Sequence, residues 1–428
     1  MPTAVYLVHG ARTPFTRAGT LFKNYGAYDL GAQALRQALA RAGVAADAVD
    51  EVVLGNIAGP AEATNVARVA ALMAGVPKKT PGLTVNRNCG SGLSAGHEGF
   101  LKILAGEAEI VLCGGAESMS QVPLLFSRAA KAQFERLFAA KTTGQKLAVM
   151  AGFRPRHFKP EIGLMIGLTD FACGKNMGET AETLAKEWNI SRVQQDAFAA
   201  RSQARAIAAQ NDGTFKDEIA GLPAPDRTGW VEADNGPRAD STPERLAKLR
   251  PVFAREYGTV TAGNSSQITD GAAAFVLASE AAVKKHKLTP LARVLGFQSA
   301  GCDPARMGLG PAYAIPQLCN RLGLTPGALD RVELNEAFAA QCLAVDAALK
   351  DAKFCRDELG LDQPWGALNW DKTNVHGGAI ALGHPVGASG ARLLLSLALD
   401  LKRSGGKIGV ASLCIGGGQG VAAAIERC

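Results

Sequence analysis

Short apolar segments alternate with longer amphipathic ones along most of this 428-residue chain. Apolar runs that open into glycines, such as "EIVLCGG" from position 109 and "GVASLCIGGG" from position 409, are typical of buried strands. Amphipathic runs such as "ALRQALARA" and "AIPQLCNRL" predict helices between such strands. This alternation predicts an α/β fold in which helices pack on mixed sheets.

Part of this pattern occurs twice. Residues 43–54, "GVAADAVDEVVL", align without a gap with residues 323–334, "GLTPGALDRVEL", so that Asp50 pairs with Asp330. A helix-like run precedes each copy. Several similarities in the same order along a chain indicate duplication rather than chance.

The two glycine-terminated strands extend the repeat. Residues 109–118 and 409–420 each contain an apolar run that ends in Leu-Cys and opens into glycines. This likeness pairs Cys113 with Cys414. We therefore predict two α/β domains of one plan.

A segment of different composition separates the copies. Residues 128–159 carry eight lysines and arginines but one acid, Glu135, and a helical stretch with a Ser191 N-cap candidate follows. We interpret this segment as an inserted, mostly helical domain. The predicted boundaries are 1–120 plus 257–287 for the first domain, 121–256 for the insertion and 288–428 for the second domain.

Composition narrows the possible functions. Lysines and arginines exceed acids by 46 − 39 = 7, which nucleic acid or a phosphate-bearing small molecule would each explain, but only 6% of residues are aromatic. We therefore expect no nucleic-acid partner. The nine cysteines form no CxxC pair, so we expect reduced thiols and no metal site. No segment has the roughly 18 apolar residues of a membrane helix, and the beginning of the chain lacks a basic leader, so we expect a cytoplasmic protein.

Cys89 is the first candidate for chemistry. It stands in "NRNCGSG", just before a run in which Leu93, Phe100, Leu101 and Leu104 fall on one helical face. A helix N-terminus favours an anion and lowers a thiol pKa, so a thiolate is expected. The alternative is a small buried hydrophobic side chain, as most free cysteines are.

A nucleophilic cysteine needs a base, and His384 is the best candidate. It lies in "GGAIALGHPVGASG", at a turn that corresponds in the second copy to the turn holding Cys89. Two such turns would face each other if the domains pack about a pseudo-twofold axis. His376 is a weaker candidate.

Cys414 differs from the packing cysteines because "IGGGQG" follows it. Glycines of this kind leave backbone N–H groups free for a developing oxyanion, and a thiol beside them suits proton transfer at a carbon acid. The glycines are also compatible with a tight turn alone.

Four motifs together resemble those of the thiolase family: "NRNCGSG", "NEAFA" at 335–339, "GGAIALGHPVGASG" and "CIGGGQG", in this order along the chain. The resemblance implies an α/β thiolase fold, in which duplicated domains form a five-layered αβαβα core and a loop domain is inserted in the first. It also implies cleavage of a 3-ketoacyl-CoA by CoA to acetyl-CoA and a shortened acyl-CoA, or the reverse condensation.

The resemblance also implies roles for individual residues. Cys89 is similar to the acyl-accepting nucleophile, His384 to its base, and Cys414 to the acid/base that handles the proton of acetyl-CoA. Asn335 resembles the residue that holds a water, which with His384 forms one oxyanion site. The N–H groups of Cys89 and Gly416 would form the other.

Two further positions match substrate contacts, Ser266 a CoA contact and Met177 a residue of the acyl pocket. CoA would be a substrate, and no cofactor or metal is implied. The family likeness suggests a homodimer or homotetramer.

The long insertion at 121–175, the run from Arg250 and the stretch 351–372 look most like the β subunit of fatty-acid oxidation complexes, which implies a hydratase/dehydrogenase partner subunit or a membrane at that insertion. The residues leave open whether the 121–175 insertion meets a partner, lipid or only CoA.

Other functions remain to be separated. A short-chain acetyl-CoA C-acetyltransferase would share all four motifs. A decarboxylating 3-ketoacyl synthase would share the fold but lack Cys-Ile-Gly-Gly-Gly. An inactive thiolase-fold acyl-CoA carrier or scaffold would have no need for Cys89, His384, Cys414 and Asn335 together.

Overall fold

A computed structural model of the chain describes residues 4–224 and 229–428. Its strands are β1 Val5–Arg12, β2 Thr16–Arg17, β3 Glu51–Gly55, β4 Gly82–Val85, β5 Ile110–Glu117, β6 Leu124–Leu125, β7 Glu161–Ile162, β8 Leu222–Pro223, β9 Trp230–Val231, β10 Thr269–Ser279, β11 Ala292–Gly301, β12 Arg331–Leu334, β13 Ile408–Ile415 and β14 Gln419–Arg427.

Its α-helices are α1 Ala27–Ala42, α2 Val66–Met73, α3 Ser91–Leu104, α4 Arg128–Ala139, α5 Thr143–Ala151, α6 Gly163–Gly167, α7 Met177–Glu187, α8 Arg192–Asn211, α9 Pro243–Leu246, α10 Glu280–Lys285, α11 Gly310–Leu322, α12 Ala339–Lys350, α13 Ala352–Leu359, α14 Ala379–Leu382 and α15 Val386–Ser404. Within the described residues no helix is both long and apolar enough to cross a membrane.

The chain divides into a large unit, which runs to Gln121 and resumes at Asp170, and a small unit, Val122–Thr169. The predicted insertion, 121–256, is longer than this small unit. Helices α7 and α8 are part of the difference, because Leu184 and Phe198 join the same buried apolar cluster as α11 and α12. The part of the predicted insertion that forms a compact unit of its own is Val122–Thr169.

The small unit is held together by a two-stranded pairing of β6 with β7 and by aromatic packing. Phe134 contacts both Phe126 and Phe153, with ring centroids 5.2 Å and 5.1 Å apart. Ser127 and Thr142 cap α4 and α5 through their side-chain oxygens. Large apolar side chains such as Phe138 and Leu147 are exposed on these helices.

The large unit is built on one continuous sheet with the order β12-β13-β14-β11-β1-β10-β5-β3-β4. β1 joins the two halves, since its residues pair antiparallel with both β10 and β11. Three buried apolar clusters separate its layers. We call the strands from β1 to β4 in this order the first half-sheet and the strands from β12 to β11 the second half-sheet. One cluster lies between the first half-sheet and helices α1 and α2, and a second surrounds α3 and α15 between the half-sheets. The third lies between the second half-sheet and helices α11 and α12. The predicted αβαβα layering is confirmed.

The internal repeat is confirmed in detail. α1 and α11 end at Gly43 and Gly323, whose φ angles of 65° and 67° are left-handed and suit glycine. Each glycine leads through a short 3₁₀ turn to a strand, β3 or β12, that runs parallel to β5 or β13. One carboxylate per copy then fixes the start of the neighbouring strand. Asp50 accepts the amides of Glu109 and Ile110, and Asp330 accepts those of Lys407 and Ile408.

These equivalent contacts correct the predicted pairing of Cys113 with Cys414. Ile110 corresponds to Ile408, so Cys113 corresponds to Ala411 and Cys414 to Ala116. The shift is three residues, an odd number. Because side chains alternate along a strand, the two sulfurs point to opposite faces of the sheet. The Leu-Cys-glycine motif that both strands share therefore does not occupy structurally equivalent positions.

The glycines next to Cys89 and His384 let two helices approach closely. A Cβ added at Gly92 of α3 would lie 2.7 Å from the Gly387 carbonyl of α15, and one at Gly390 would lie 2.4 Å from the Leu93 amide. The helices therefore meet at their N-terminal turns. The residues just before them, Cys89 and His384, are brought to the same end of the crossing, as the duplicated turns predicted.

The predicted apolar face of α3 is only partly buried. Leu93 is fully buried, but Leu101 and Leu104 are 46% and 40% exposed. Small residues such as Gly96 and Gly99 form most of the buried face instead. A helix held between two half-sheets has neighbours on both sides, so it packs through a narrow face of small residues.

Candidate active site

Cys89 lies in the loop between β4 and α3, two residues before the helix begins. The residue as a whole is half-buried and forms no disulfide, and its sulfur is directed inward. Burial raises the pKa of this thiol, and hydrogen bonds from the N–H groups of Gly416 and of Cys89 itself offset only part of the rise. This direction opposes the predicted thiolate in the free protein, because desolvation outweighs the hydrogen bonds that favour the charged form. A thiol in this state needs a base to become a nucleophile.

The second half contributes the turn that faces this thiol. Gly416, Gly417 and Gly418 connect β13 to β14, and the φ angles of Gly417 and Gly418 are 93° and 76°. The Asn88 side-chain amide donates to the Gly416 carbonyl at 2.8 Å. This hydrogen bond holds the Gly416 turn against the Cys89 loop, and hydrogen bonds from the N–H groups of Gly416 and Cys89 are the two causes that lower the pKa of the Cys89 sulfur. An oxygen on a carbon bonded to that sulfur would lie within reach of the same pair.

His384 is buried between β10 and α15, and its surroundings fix which ring nitrogen carries the proton. The Ser389 hydroxyl donates its only proton to the Pro385 carbonyl at 3.0 Å, so it accepts from Nδ1 of His384 at 2.5 Å. Nε2 then holds a lone pair and has no partner among the described residues. Burial, aided by the charge of Arg392, lowers the pKa of His384 to about 4. At neutral pH it is an uncharged base.

Asn335 directly follows β12 and is fully buried. Its backbone amide donates to the Ser412 carbonyl at 2.9 Å, which fixes the residue beside β13. Neither the oxygen nor the nitrogen of its side chain has a partner within the part of the chain that the structure describes. A buried amide of this kind is costly unless it binds a further polar group.

Cys414 is the last residue but one of β13 and is almost fully buried. Burial raises the pKa of its thiol well above the usual range, and negative charge on Cys89 or Cys302 would raise it further. Cys414 precedes Gly416 by two residues, and the Gly416 carbonyl is hydrogen-bonded to Asn88, next to Cys89, so both thiols lie at this turn. Cys414 is therefore a thiol at neutral pH, able to donate a proton.

The two predicted substrate contacts also lie near these groups. The Met177 sulfur is 3.1 Å from the position of a Cβ on Gly416, so Met177 lies against the turn. The Ser266 amide donates to the Ala337 carbonyl, two residues past Asn335, at 2.9 Å. The next residue, Gln267, accepts the His384 amide at 3.0 Å. The segment holding Ser266 therefore connects the Asn335 and His384 parts of the site.

Two other histidines have different surroundings. His376 Nε2 lies 3.0 Å from the Asp400 carboxylate and 3.2 Å from the Arg403 guanidinium, in a charged cluster along α15. His97 stacks on Phe297 with ring centroids 5.1 Å apart. Neither has the free, buried ring nitrogen that distinguishes His384.

Sequence reasoning missed Glu117, which ends β5. Its carboxylate accepts the amides of Ile57, Ala58 and Gly387, and so ties the first half to the first turn of α15. Burial raises the pKa of Glu117 to about 7. Ser389 and Asn88 were missed as well, although each contacts a predicted site residue. The serine in "HPVGAS", five residues after the histidine, was the one signal available for Ser389.

Comparison with known proteins agrees with this fold and site. Family models described as the thiolase N-terminal and C-terminal domains match residues 5–281 and 288–427. The chain is 43% identical to human mitochondrial 3-ketoacyl-CoA thiolase, over 99% of this chain and 98% of the relative. It is 44% identical to an acetyl-CoA acetyltransferase of Shinella zoogloeoides, over the full length of both.

The solved structure of human mitochondrial 3-ketoacyl-CoA thiolase in complex with CoA superposes with a TM-score of 0.86 at 41% identity, covering 100% of this chain and 98% of that one. The chain belongs to the thiolase family, and it is an acyltransferase of that family.

Proposed function

We propose that this protein cleaves 3-ketoacyl-CoA with CoA, through an acyl group on Cys89, in fatty-acid β-oxidation. The observation that carries the proposal is the hydrogen bond from the Asn88 side-chain amide to the Gly416 carbonyl, which holds the Gly416–Gly418 turn against the Cys89 loop. A thioester formed on the Cys89 sulfur would have its oxygen beside the N–H groups of this turn and of Cys89. The relatives named 3-ketoacyl-CoA thiolase support the substrate class.

The first half-reaction uses both halves of the site. Nε2 of His384 removes the Cys89 proton, and the thiolate attacks the 3-keto carbon of the substrate. Nε2–H, with a water held by Asn335, stabilises the resulting oxyanion. When the bond between C2 and C3 breaks, Cys414 donates its proton to C2 and acetyl-CoA leaves.

The second half-reaction restores each group. The Cys414 thiolate removes the proton of the incoming CoA thiol, and the CoA sulfur attacks the thioester on Cys89. The N–H groups of Cys89 and Gly416 hold the oxyanion. Cys89 then leaves as a thiolate and regains its proton from protonated His384. CoA is a substrate throughout, with Ser266 contacting it and Met177 bounding the acyl group, and the proposed steps need no other cofactor.

The decisive variant is Cys89→Ser. It keeps the shape of the side chain but replaces the thiol with a far weaker nucleophile, so we expect thiolysis of acetoacetyl-CoA and 3-ketohexadecanoyl-CoA to fall to background. Retained turnover in this variant would refute the assignment of Cys89 as the nucleophile. The wild type also separates the candidate functions. Activity confined to the four-carbon substrate would favour an acetyl-CoA acetyltransferase, the name of the Shinella relative. Tight acyl-CoA binding without thiolysis would favour a carrier.

We further propose a cytoplasmic homodimer or homotetramer, with the small unit as the surface for a hydratase/dehydrogenase partner subunit. The concentration of basic residues at 128–159 supports a contact with acidic or phosphate-bearing surfaces. Light scattering on purified protein would give the number of subunits. Co-purification with and without residues 122–169 would test the partner.

A further inference from the structure

The Gly416–Gly418 turn has no side chains with which to fix its own shape. Two of its residues adopt left-handed φ angles, and glycine is flexible in such positions. Catalysis nevertheless needs the Gly416 N–H in one place, since a donor stabilises an oxyanion only if it is aimed at it in advance. Contacts from outside the turn must therefore hold it.

Three other segments supply those contacts. The Asn88 side-chain amide donates to the Gly416 carbonyl at 2.8 Å, and the Cys302 backbone amide donates to the Gly418 carbonyl at 2.7 Å. The Asp170 carboxylate accepts the amides of Ala172 and Cys173 at 2.8 Å and 2.9 Å, and a hydrogen bond from the Gly417 N–H is one of the causes that lower its pKa. Each residue of the turn is thus held by a different segment.

Asn88 differs from the other two because it also fixes the nucleophile. Its φ of 45° lies in the left-handed region, which asparagine tolerates better than most residues. The backbone N–H of Asn88 donates to Asn86 Oδ1 at 3.0 Å, and its backbone carbonyl accepts both the backbone N–H and the hydroxyl of Ser91. One residue thus sets the backbone just before Cys89 and holds the carbonyl of Gly416.

We propose that Asn88 is a positioning residue, whose side-chain amide couples the Cys89 loop to the Gly416–Gly418 turn and keeps the Gly416 N–H directed at the Cys89 sulfur. This role rests on the proposed function, in which that N–H holds the oxyanion. It assigns Asn88 no contact with substrate.

The test uses Asn88→Gly and Asn88→Ala, which both lose the side-chain donor. Glycine keeps the left-handed φ and adds flexibility, whereas alanine adds strain, so an effect common to both reports the lost hydrogen bond. Asn189→Gly is the matched control. Asn189 is an exposed asparagine with φ of 51°, between α7 and α8.

The readout is the pH dependence of alkylation of Cys89 by iodoacetamide, measured with kcat and KM for thiolysis. A displaced Gly416 N–H stabilises the thiolate less, so we expect both Asn88 variants to shift the midpoint of alkylation upward by about 0.5–1 pH unit. We expect kcat to fall about three- to thirtyfold with little change in KM, less than the loss of a whole oxyanion donor. Asn189→Gly should match the wild type.

Other charges near the sulfur do not differ between the variants. The charge of Glu117 raises the pKa of Cys89, and a charge on Cys89 raises the pKa of Cys414. His384 is neutral above pH 5. A wild-type midpoint and kcat in both Asn88 variants would overturn the proposal. A lower melting temperature with an unchanged midpoint would overturn it too, since Asn88 would then be structural only. Activity in Cys89→Ser would instead contradict the proposed function itself.

Discussion

Cys113 and Cys414 each follow a leucine in corresponding strands of the two halves, yet their surroundings differ completely. Cys113 lies under α3, where a Cβ on Gly99 would come within 2.4 Å of its sulfur. Cys414 points to the other face of the sheet, where negative charge on Cys89 or Cys302 would raise its pKa further. Burial raises the pKa of both thiols. Register within the strand, not the local motif, decides which thiol can take part in chemistry.

The same contrast applies to the two turns before α3 and α15. One carries a thiol and the other an imidazole, and the crossing of the two helices brings both to one end. Duplication thus supplies two similar turn–helix units. The chemistry arises because the residues at corresponding positions of the two turns differ. Three changes test this comparison.

The largest effect is expected from removing the Cys414 thiol. Without its proton donor, Cys414→Ala should lower kcat for thiolysis by on the order of 10²–10⁴. Cys113→Ala is the matched control, because it removes an equally buried sulfur from the equivalent strand. It should keep kcat within about twofold while losing about 1 kcal/mol of unfolding free energy. Equal losses of activity in the two variants would contradict the contrast between the two faces.

A smaller effect is expected in the pH dependence of the free energy of unfolding, through His384. The folded pKa of His384 is about 4 and the unfolded value 6.5, so the unfolded chain binds the extra proton between these limits. The neutral imidazole therefore contributes stability fully above pH 6.5, and about 3 kcal/mol of it is lost as the pH falls to 4. In His384→Asn this dependence should vanish.

The measurement compares unfolding free energies of wild type and His384→Asn at each pH. Glu117 and Glu333 have pKa values raised to about 7 by burial, so their contributions fall as pH rises through the same window and oppose that of His384. Both proteins contain these acids, so subtraction removes their effect. The wild type should lose about 3 kcal/mol relative to the variant between pH 7 and pH 4. A difference independent of pH would show that His384 is not buried in its neutral form.

The smallest effect tests the helix crossing. Gly390→Ala places a methyl group 2.4 Å from the Leu93 amide, and it should cost about 1–3 kcal/mol of stability through overpacking. Gly144, a helical glycine of α5 with nothing within 4 Å of its Cβ position, is the control. Gly144→Ala should be neutral or stabilising by up to about 1 kcal/mol. Chemical denaturation measures both, and a neutral Gly390→Ala would contradict the close approach of α3 and α15.

Features encoded by neighbouring residues could be predicted from the sequence. The helix–glycine–strand repeat, the helix after Cys89 and the thiolase motifs all lie within short windows. The direction of the Cys89 pKa could not be predicted, because burial depends on the whole fold. The Asn88 contact with Gly416 joins residues 328 positions apart, and Glu117 reaches Gly387 across 270. Local spacing contains no information about such pairs, and the same limitation produced the wrong pairing of Cys113 with Cys414.

The position of β1 between β10 and β11 has a consequence for how this protein is made. β1 ends at Arg12, but the first strand of the sheet that pairs with it, β10, begins at Thr269. At about 5–20 residues per second, the ribosome needs roughly 13–50 s to produce the intervening chain. The central strand of the sheet therefore leaves the exit tunnel long before either neighbour exists. Its apolar residues Val5, Leu7 and Val8, which are buried in the finished sheet, therefore remain without their strand partners for most of the synthesis of the chain.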